Sequence, residues 1–196
     1  MLSAIILAAG ESKRMGRYIK ALLPVHGITF LEKILENLDQ PEIGETFVIL
    51  GSGVDEIHRA VNPGKAKFLI NEDWRSGQLG SLRVGVSHLS QESEAVLFTP
   101  VDHPLVERST YRTLIDFWWS QRAGIVVPTY RGRKGHPALF PRRVYGALLN
   151  DELFGGARDI LDREQESVSY VEVSDPGVVQ DIDTLEDFRR LIGELP

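Results

Sequence analysis

Short apolar runs alternate with amphipathic stretches along the first two thirds of the chain. Five runs rich in β-branched residues predict buried strands at 4–7, 46–50, 67–70, 95–99 and 124–127. Apolar positions three or four residues apart predict helices at 30–38, 81–89 and 109–122. Strands that alternate with helices indicate a mostly parallel sheet with helices on both faces. We therefore expect an α/β chain with a three-layer α/β/α, Rossmann-like fold.

The last third of the chain has a less regular pattern. It predicts helices at 142–149, 155–163 and 184–193 and one strand near 167–173. Thr184 is a suitable N-cap for the last helix, because Asp187 stands three residues later. No repeat, linker or low-complexity tract divides the sequence, so we expect a single domain over residues 1–196.

Composition narrows the class of function without identifying it. The 196 residues include 22 Lys+Arg and 28 Asp+Glu, a formal net charge of −6, which disfavours nucleic acid as a partner. The absence of cysteine excludes disulfides, thiolate metal sites and a cysteine nucleophile. No apolar run approaches the roughly 20 residues that span a bilayer, and the chain enters a strand-like run at once. We expect a cytoplasmic protein without a membrane partner.

The loop after the first predicted strand combines small residues with cations. Gly10 and the two alanines before it let backbone N–H groups approach a ligand closely, as phosphate binding requires. Lys13, Arg14, Arg17 and Lys20 add positive charge to the same segment. In open α/β sheets, ligands bind beyond the carboxyl ends of the strands, where this loop lies. The pattern is neither G-x-G-x-x-G nor G-x-x-x-x-G-K-[ST], which disfavours a nicotinamide-dinucleotide site and a P-loop.

Two acidic positions are expected at the same edge of the sheet. Asp102 follows the predicted strand at 95–99, and Asp181 and Asp183 precede the last helix. Carboxylates beside a triphosphate form the environment that Mg²⁺ prefers. The alternative is structural, with Asp102 capping a turn and either later aspartate starting the helix. We expect Asp183 to face the site and Asp181 to point the other way in a supporting role.

Two further loops are rich in glycine. Residues 71–82 follow the third predicted strand and leave a helix N-terminus open to a ligand, unless Ser81 only caps that helix. Residues 130–140 form a second basic loop, which would also suit a solvated surface. His103 stands beside Asp102, and we interpret it as a residue that lines the site.

The first loop and the two acidic motifs, in this order, resemble the MobA-like nucleotidyltransferase (NTP transferase) family. The matching segments are Leu7-Ala8-Ala9-Gly10-x-Ser12-x-Arg14-Met15-Gly16 with Lys20, then Asp102-x-Pro104-Leu105-Val106, then Asp181-Ile182-Asp183-Thr184. The resemblance implies that Leu7, Ala8, Ala9 and Gly10 wrap a nucleoside triphosphate. It also implies that Arg14 and Lys20 neutralise the phosphates and that Asp102 and Asp183 hold Mg²⁺. Arg14, Lys20 and Asp102 are thus the implied catalytic residues, although the interval from Gly16 to Lys20 is longer than is common among cytidylyl-type members.

The remaining loops resemble one segment of the family and one of its branches. Asn71, Gly80 and Ser81 lie in a segment similar to one that contributes to nucleotide recognition. Gly135-His136-Pro137 and Gly156-Ala157-Arg158 are similar to the molybdenum cofactor cytidylyltransferase-like branch. That similarity implies that Gly135, His136, Pro137 and Arg158 contact the acceptor, a phosphorylated pterin. Ala9, where guanylyl-transferring relatives tend to carry glycine, favours CTP.

The implied reaction is transfer of CMP from CTP to the phosphate of molybdopterin, with release of pyrophosphate and with a client molybdoenzyme as a further partner. Open alternatives are a guanylyl- or other nucleotidyltransferase with a different phosphorylated acceptor and a non-catalytic nucleotide- or cofactor-binding module. An NAD(P)-binding oxidoreductase is a more distant alternative. Residues 1–20 carry four basic residues and one acidic residue, and residues 129–143 carry five basic residues and none acidic. Two cationic loops on an acidic chain favour small anionic ligands.

Overall fold

The computed structural model describes residues 1–122, 124–150 and 157–195, with the backbone alone at Ser76 and Arg158. The described strands are β1 (Leu2–Ala8), β2 (Pro24–Val25), β3 (Ile28–Thr29), β4 (Ile43–Leu50), β5 (Lys67–Ile70), β6 (Ala95–Pro100), β7 (Ile125–Tyr130), β8 (Arg133–Lys134), β9 (Ala138–Pro141) and β10 (Val168–Glu172). The described α-helices are α1 (Phe30–Leu38), α2 (Val54–Ala60), α3 (Gln78–Ser87), α4 (Arg108–Gln121), α5 (Tyr145–Leu149), α6 (Ala157–Arg163) and α7 (Leu185–Leu191). None of them is long and apolar enough to cross a membrane.

The main sheet has the order β10-β7-β9-β6-β1-β4-β5, with β8 paired to β7. The pairs of β1 with β4 and β6, of β4 with β5 and of β7 with β10 are parallel. β9 is antiparallel to both β6 and β7, and β2 and β3 form a separate hairpin. Helices pack on both faces, so the predicted Rossmann-like α/β/α fold is confirmed.

Burial on both faces explains why β1 is apolar except at Ser3, whose hydroxyl donates a hydrogen bond to Glu45. Alternate residues Ala4 and Ile6 belong to one core, together with side chains of α1, α4 and α7. Ile5 and Leu7 belong to the core on the other face, with side chains of α3, α5 and α6. Each large aliphatic side chain contributes about 1.5–3 kcal/mol when fully buried. The strand therefore supplies a rigid base for the loop that follows it.

Several predicted boundaries need correction. α3 begins at Gln78 with Gly77 as its N-cap, so Ser81 lies within the helix and does not cap it. The predicted helix at 142–149 divides into a 3-10 turn and α5. Residues 155 and 156 of another predicted helix lie outside the described residues. No strand forms at 180–183, because this extended segment packs beside the chain at Asp102 rather than in the sheet.

The elements that the pattern did not predict are short. In α2 only Ile57 is fully buried, so the segment lacks the apolar periodicity of a helix that packs along one face. β9 has four residues and ends in proline, and it follows another proline directly. Its pairing with β6 and β7 is a long-range contact that local sequence does not encode.

The parallel strands bring the functional loops together. The carboxyl ends of β1, β4, β5 and β6 lie at one edge of the sheet, so the loops that follow them gather there.

Candidate active site

The first loop folds back on itself after β1. Ser12 adopts a left-handed backbone conformation with φ 55°, and its side-chain Oγ accepts a hydrogen bond of 3.1 Å from the backbone N–H of Lys20. Met15, between them, is fully buried and anchors the loop in the core. The position of Lys20 therefore depends on a hydrogen bond to Ser12, eight residues earlier in the chain. This supporting role of Ser12 was not predicted from the sequence.

Four predicted residues meet at the end of this loop. The Lys20 Nζ lies 2.7 Å from Asp183 Oδ1 and 3.2 Å from Asp102 Oδ2. An Arg14 guanidinium nitrogen lies 2.8 Å from Asp183 Oδ2. The Lys20 side chain is only 13% exposed, so solvent screens its two ion pairs weakly. The structure thus brings these four predicted residues together.

Backbone contacts fix the two carboxylates. The N–H of Val101 donates to Leu7 O, which ties the segment before Asp102 to β1. The N–H of Ile182 donates to Asp102 O at 2.9 Å, and the Ile182 side chain is fully buried. Asp183 is then followed by the predicted capping box, in which Thr184 accepts from the Asp187 N–H and Asp187 accepts from the Thr184 N–H.

Charge controls the ionisation of Asp183. Burial alone would raise the pKa of Asp183, but the hydrogen bond and charge of Lys20, together with Arg14, lower the pKa below its ordinary value. Asp183 is thus ionised throughout the neutral range.

The two carboxylates fit a divalent cation that shares its ligands with a substrate. Asp102 Oδ1 is buried, and no hydrogen-bond partner for it exists among the described residues. Within those residues no group of three or more His, Asp or Glu side chains could hold a metal alone. Mg²⁺ typically binds one or two carboxylates and takes its other ligands from phosphates and water. Asp102 and Asp183 are the residues that would hold such an ion.

We call the space around these residues the charged cleft. It has a volume of about 510 Å³ and is lined by Arg14, Lys20, Asp102 and Asp183 and by the predicted residues Leu7, Ala8, Ala9, Gly10 and Ser81. A Cβ built on Gly10 would meet no atom within 4 Å, so a side chain there would take space from a ligand. Trp74, Arg75 and Gln78 also line the cleft, and none of them was among the predicted ligand contacts.

Asn71 and Gly80 lie outside the cleft lining. The Asn71 side chain is 5% exposed and donates a hydrogen bond of 3.0 Å to Ser81 Oγ. Asn71 therefore orients Ser81, and only Ser81 of the three predicted residues in this segment faces the cleft.

A second space, the aromatic cavity, adjoins the charged cleft. It has a volume of about 640 Å³, and its lining includes Phe98, His103, His136 and Phe140. Gly77 and Gln78 line both spaces. The predicted lining role of His103 is confirmed, and this residue is 7% exposed.

Neighbouring residues face different spaces. Asp102 lines the charged cleft and His103 lines the aromatic cavity, while Asp183 lines the cleft and Asp181 lines the cavity. Asp181 and Asp183 therefore face different spaces, as expected. On a regular strand two residues this far apart would face the same side, so their different orientations depend on the irregular backbone of this segment. We call these two segments, 102–103 and 181–183, the ridge between the two spaces.

The basic loop at 130–140 reaches the cavity through close backbone packing. A Cβ on Gly135 would lie 2.1 Å from Val178 O, so only glycine fits there without movement of the backbone. The next residue, His136, donates its N–H to the same carbonyl at 2.8 Å. Burial, with a smaller contribution from His103, lowers the pKa of His136 to about 3, so its imidazole is neutral near pH 7.

For the other two predicted acceptor residues, the structure shows no side chain that lines the cavity. Pro137 precedes β9 and is absent from the cavity lining. Arg158 lies in α6, but its side chain is outside the described part of the structure.

Comparison with protein families places most of the chain in one family. The model of the MobA-like NTP transferase domain matches residues 4–168. Nicotine blue oxidoreductase of Paenarthrobacter nicotinovorans is 28% identical over 97% of this chain and 96% of that protein. The bifunctional protein GlmU of Staphylococcus saprophyticus is 25% identical over 88% of this chain, which spans about a third (34%) of that relative.

Solved structures agree with the family match. Rv0371c from Mycobacterium tuberculosis H37Rv superposes with a TM-score of 0.87 and 28% identity over 98% of this chain and 97% of that chain. A complex of the same protein with manganese superposes with a TM-score of 0.77 and 25% identity over 99% of both chains. A molybdopterin-guanine dinucleotide biosynthesis protein A from Archaeoglobus fulgidus has a TM-score of 0.69 at 16% identity over 96% of both chains, a likeness of fold alone.

Proposed function

The chain belongs to the MobA-like NTP transferase family, and from that premise we propose that it transfers CMP from CTP to the phosphate of molybdopterin in the cytoplasm. Pyrophosphate is the second product, and Mg²⁺ is the cofactor. The observation that carries this proposal is the meeting of Arg14, Lys20, Asp102 and Asp183 in a cleft that opens beside a second cavity. Nucleotidyl transfer between two substrates needs such a pair of adjoining sites.

The mechanism is a displacement at the α-phosphorus. An oxygen of the acceptor phosphate attacks that atom, the bond to the β-phosphate oxygen breaks, and pyrophosphate leaves. Arg14 and Lys20 bind the β- and γ-phosphates and stabilise the charge that develops on the leaving group. The bound cation would be held by Asp102 and Asp183 and would polarise the phosphates. Positioning supplies much of the rate, and no protein nucleophile is required.

In this proposal the two substrates bind on opposite sides of the ridge. The triphosphate would bind in the charged cleft with its α-phosphate near Asp102, and the acceptor would bind in the aromatic cavity with its phosphate directed at that α-phosphate. The relative solved in complex with manganese supports a divalent cation as cofactor. Ala9 favours CTP over GTP, and Gly135, His136, Pro137 and Arg158 are the proposed acceptor contacts.

Two alternative functions would use the same cleft. GTP or another phosphorylated acceptor would use the same chemistry. A non-catalytic nucleotide- or cofactor-binding module would not need both carboxylates together with Arg14 and Lys20, which disfavours it. A client molybdoenzyme that receives the product is a further proposed partner.

A redox function is the second candidate, because one relative over almost the whole chain is named an oxidoreductase. A cationic cleft of this kind would also accept the diphosphate of a dinucleotide. Hydride transfer, however, gives no role to the paired carboxylates that Lys20 joins, and the G-x-G-x-x-G motif is absent. Nucleotidyl transfer accounts for more of the site.

One set of assays separates these candidates. Purified protein is incubated with Mg²⁺, with CTP, GTP, ATP or UTP in turn, and with or without molybdopterin, and pyrophosphate is measured. We expect release that depends on both CTP and molybdopterin and that is lost in Asp102→Asn. Absence of release with every pair refutes the transferase, and oxidation of NADH or NADPH by an added quinonoid dye in parallel samples would support the redox candidate instead.

A further inference from the structure

Four aromatic side chains form a continuous wall in the aromatic cavity. The ring centroids of His103 and His136 are 4.9 Å apart, those of His136 and Phe98 are 5.6 Å apart, and those of Phe98 and Phe140 are 5.2 Å apart. All four rings line the cavity, and we call them the aromatic wall. Flat apolar surfaces of this kind favour aromatic ligands, which pack by stacking or edge contacts.

Both imidazoles in this wall leave a nitrogen without a partner. The Nδ1 atoms of His103 and His136 are buried, and neither has a hydrogen-bond partner among the described residues. Asp102 Oδ1, which lies 3.8 Å from His103 Nε2, is also buried without a hydrogen-bond partner among the described residues. A buried polar atom without a partner costs free energy, so such atoms are rare and concentrate where a ligand or water completes them. Here the three groups are neighbours, since the ring of His103 contacts that of His136 and lies beside the Asp102 carboxylate.

The fold brings the wall together from distant segments. Phe98 lies on β6, and His103 lies in the loop that follows it. β9 pairs with β6 so that Ala138 stands opposite Phe98, and this pairing sets His136 and Phe140 beside them. Gly135 holds His136 against Val178. The wall is thus built on paired strands and a close-packed loop, which favours a preformed binding surface.

We propose that the aromatic wall binds the flat heteroaromatic ring of the acceptor, with His103 and His136 as hydrogen-bond partners that determine which ring is accepted. This inference rests on the proposed transfer reaction and adds a role for His103, Phe98 and Phe140. Each imidazole directs a buried Nδ1 atom without a protein partner at this surface, and the pair therefore suits a ring edge that carries hydrogen-bonding groups. The exposed Arg133 and Lys134, which also line the cavity, are available to anionic substituents.

Binding of the ring is tested apart from catalysis. Pterin, a fluorescent heterocycle without phosphate, is titrated into the protein, and inorganic phosphate is titrated separately by calorimetry. The variants are His103→Phe and His136→Phe, which keep a ring but remove its nitrogens, and His103→Gln and His136→Gln, which keep hydrogen-bonding groups. His58→Gln is the matched control, because His58 also contacts an aromatic ring, at 4.7 Å from Phe68, but lines neither space.

We expect each Phe variant to weaken pterin binding about tenfold to hundredfold, as for a site that loses a buried hydrogen bond. The Gln variants should retain more of the affinity, and His58→Gln all of it. With molybdopterin and CTP as substrates, the KM for molybdopterin should rise by a similar factor while the affinity for Mg²⁺-CTP is unchanged. Such a split distinguishes ring recognition from a general disturbance of the fold.

Two outcomes of the pterin titration alone overturn the inference. One is wild-type protein that does not bind pterin, and the other is Phe variants that bind it as the wild type does. Failure of the proposed function looks different, because pterin binding would still depend on both histidines while no nucleotide and acceptor pair released pyrophosphate. An equal loss of affinity for CTP and pterin in the Phe variants would also refute a specific role in ring recognition.

Discussion

The charged cleft and the aromatic cavity satisfy their polar groups in opposite ways. In the cleft, Arg14, Lys20, Asp102 and Asp183 are joined by ion pairs of 2.7 to 3.2 Å. In the cavity, His103 and His136 contact each other only as rings, and each has a buried nitrogen without a partner in the described chain. The cleft therefore exchanges existing ion pairs when it binds a charged ligand, whereas the cavity gains hydrogen bonds. This difference suits the cleft to triphosphate and the cavity to selection of an acceptor.

The largest effect is expected from Asp102→Asn, which removes a charge from the cleft without changing its shape. Loss of a ligand of the cation that would stabilise transition-state charge should lower kcat by about 10³-fold. Asp116→Asn is the control, because Asp116 is an exposed carboxylate that pairs with Arg112 on α4. Turnover and melting temperature are measured for both proteins. Near-normal turnover of Asp102→Asn would remove this residue from the proposed metal site.

Lys20→Met should have the next largest effect, because it removes the cation that both carboxylates share. We expect kcat/KM for CTP to fall by about 10²-fold. Lys13→Met is the control within the same loop, since Lys13 pairs with Glu11 rather than with either site carboxylate and its side chain is 79% exposed. A similar loss in both variants would show that only the total charge of the loop matters.

The same Lys20 variant changes the pH dependence of stability. The lowered pKa of Asp183 means that its ion pairs stabilise the folded protein above the ordinary range of an aspartate pKa. That stabilisation is lost as the pH falls through the lowered value. Lys20→Met raises the pKa of Asp183, so acid unfolding should begin at a higher pH. Carboxyl NMR titration and acid unfolding curves measure the two quantities, and unchanged curves contradict the assignment.

Gly135→Ala tests the cavity by packing rather than by charge. Its Cβ would approach Val178 O to 2.1 Å, so the loop must move. We expect a loss of about 1–3 kcal/mol in the free energy of unfolding, as for other overpacked sites. The displaced His136 should also weaken acceptor binding while Mg²⁺-CTP binding changes little. Calorimetry with each ligand measures this asymmetry, and equal losses would show that the two spaces are not independent.

The smallest effect is expected from Gly10→Ala. The added Cβ meets no protein atom within 4 Å, so stability should change little while CTP affinity falls by about tenfold through lost close approach. Gly146→Ala is the control, because its Cβ also meets no atom and it lies in α5, away from both spaces. Unchanged CTP affinity in Gly10→Ala would mean that the ligand does not pass this residue closely.

The cleft was more predictable from the sequence than the cavity. Arg14, Lys20 and Asp102 lie in loops that follow β1 and β6, and the rule for ligands at the carboxyl ends of parallel strands places these loops together. Asp183, which precedes α7, was assigned to the same site through the resemblance of its motif. The helix at Phe30–Leu38 was predicted with its bounds, because its apolar residues repeat at the helical period.

The aromatic wall was not predictable in the same way. β9 is short and antiparallel in a mostly parallel sheet, and its pairing with β6 brings Phe140 and His136 to Phe98. Phe98 and Phe140 read locally as ordinary core residues, since nothing in the sequence marks the face to which each side chain points. The support that Ser12 gives to Lys20 was missed for the same reason, because it depends on how the loop folds.

The ridge has a consequence for how such proteins diversify. Asp102 and His103 are adjacent in the chain but face different spaces. Asp181 and Asp183, which are separated by one buried residue, also face different spaces. A single substitution at 103 or 181 can alter the second compartment while both carboxylates keep their positions. New substrate preferences are thus reachable by point mutation without loss of the reaction chemistry, a route by which one ancestral scaffold can give rise to descendants with different substrates.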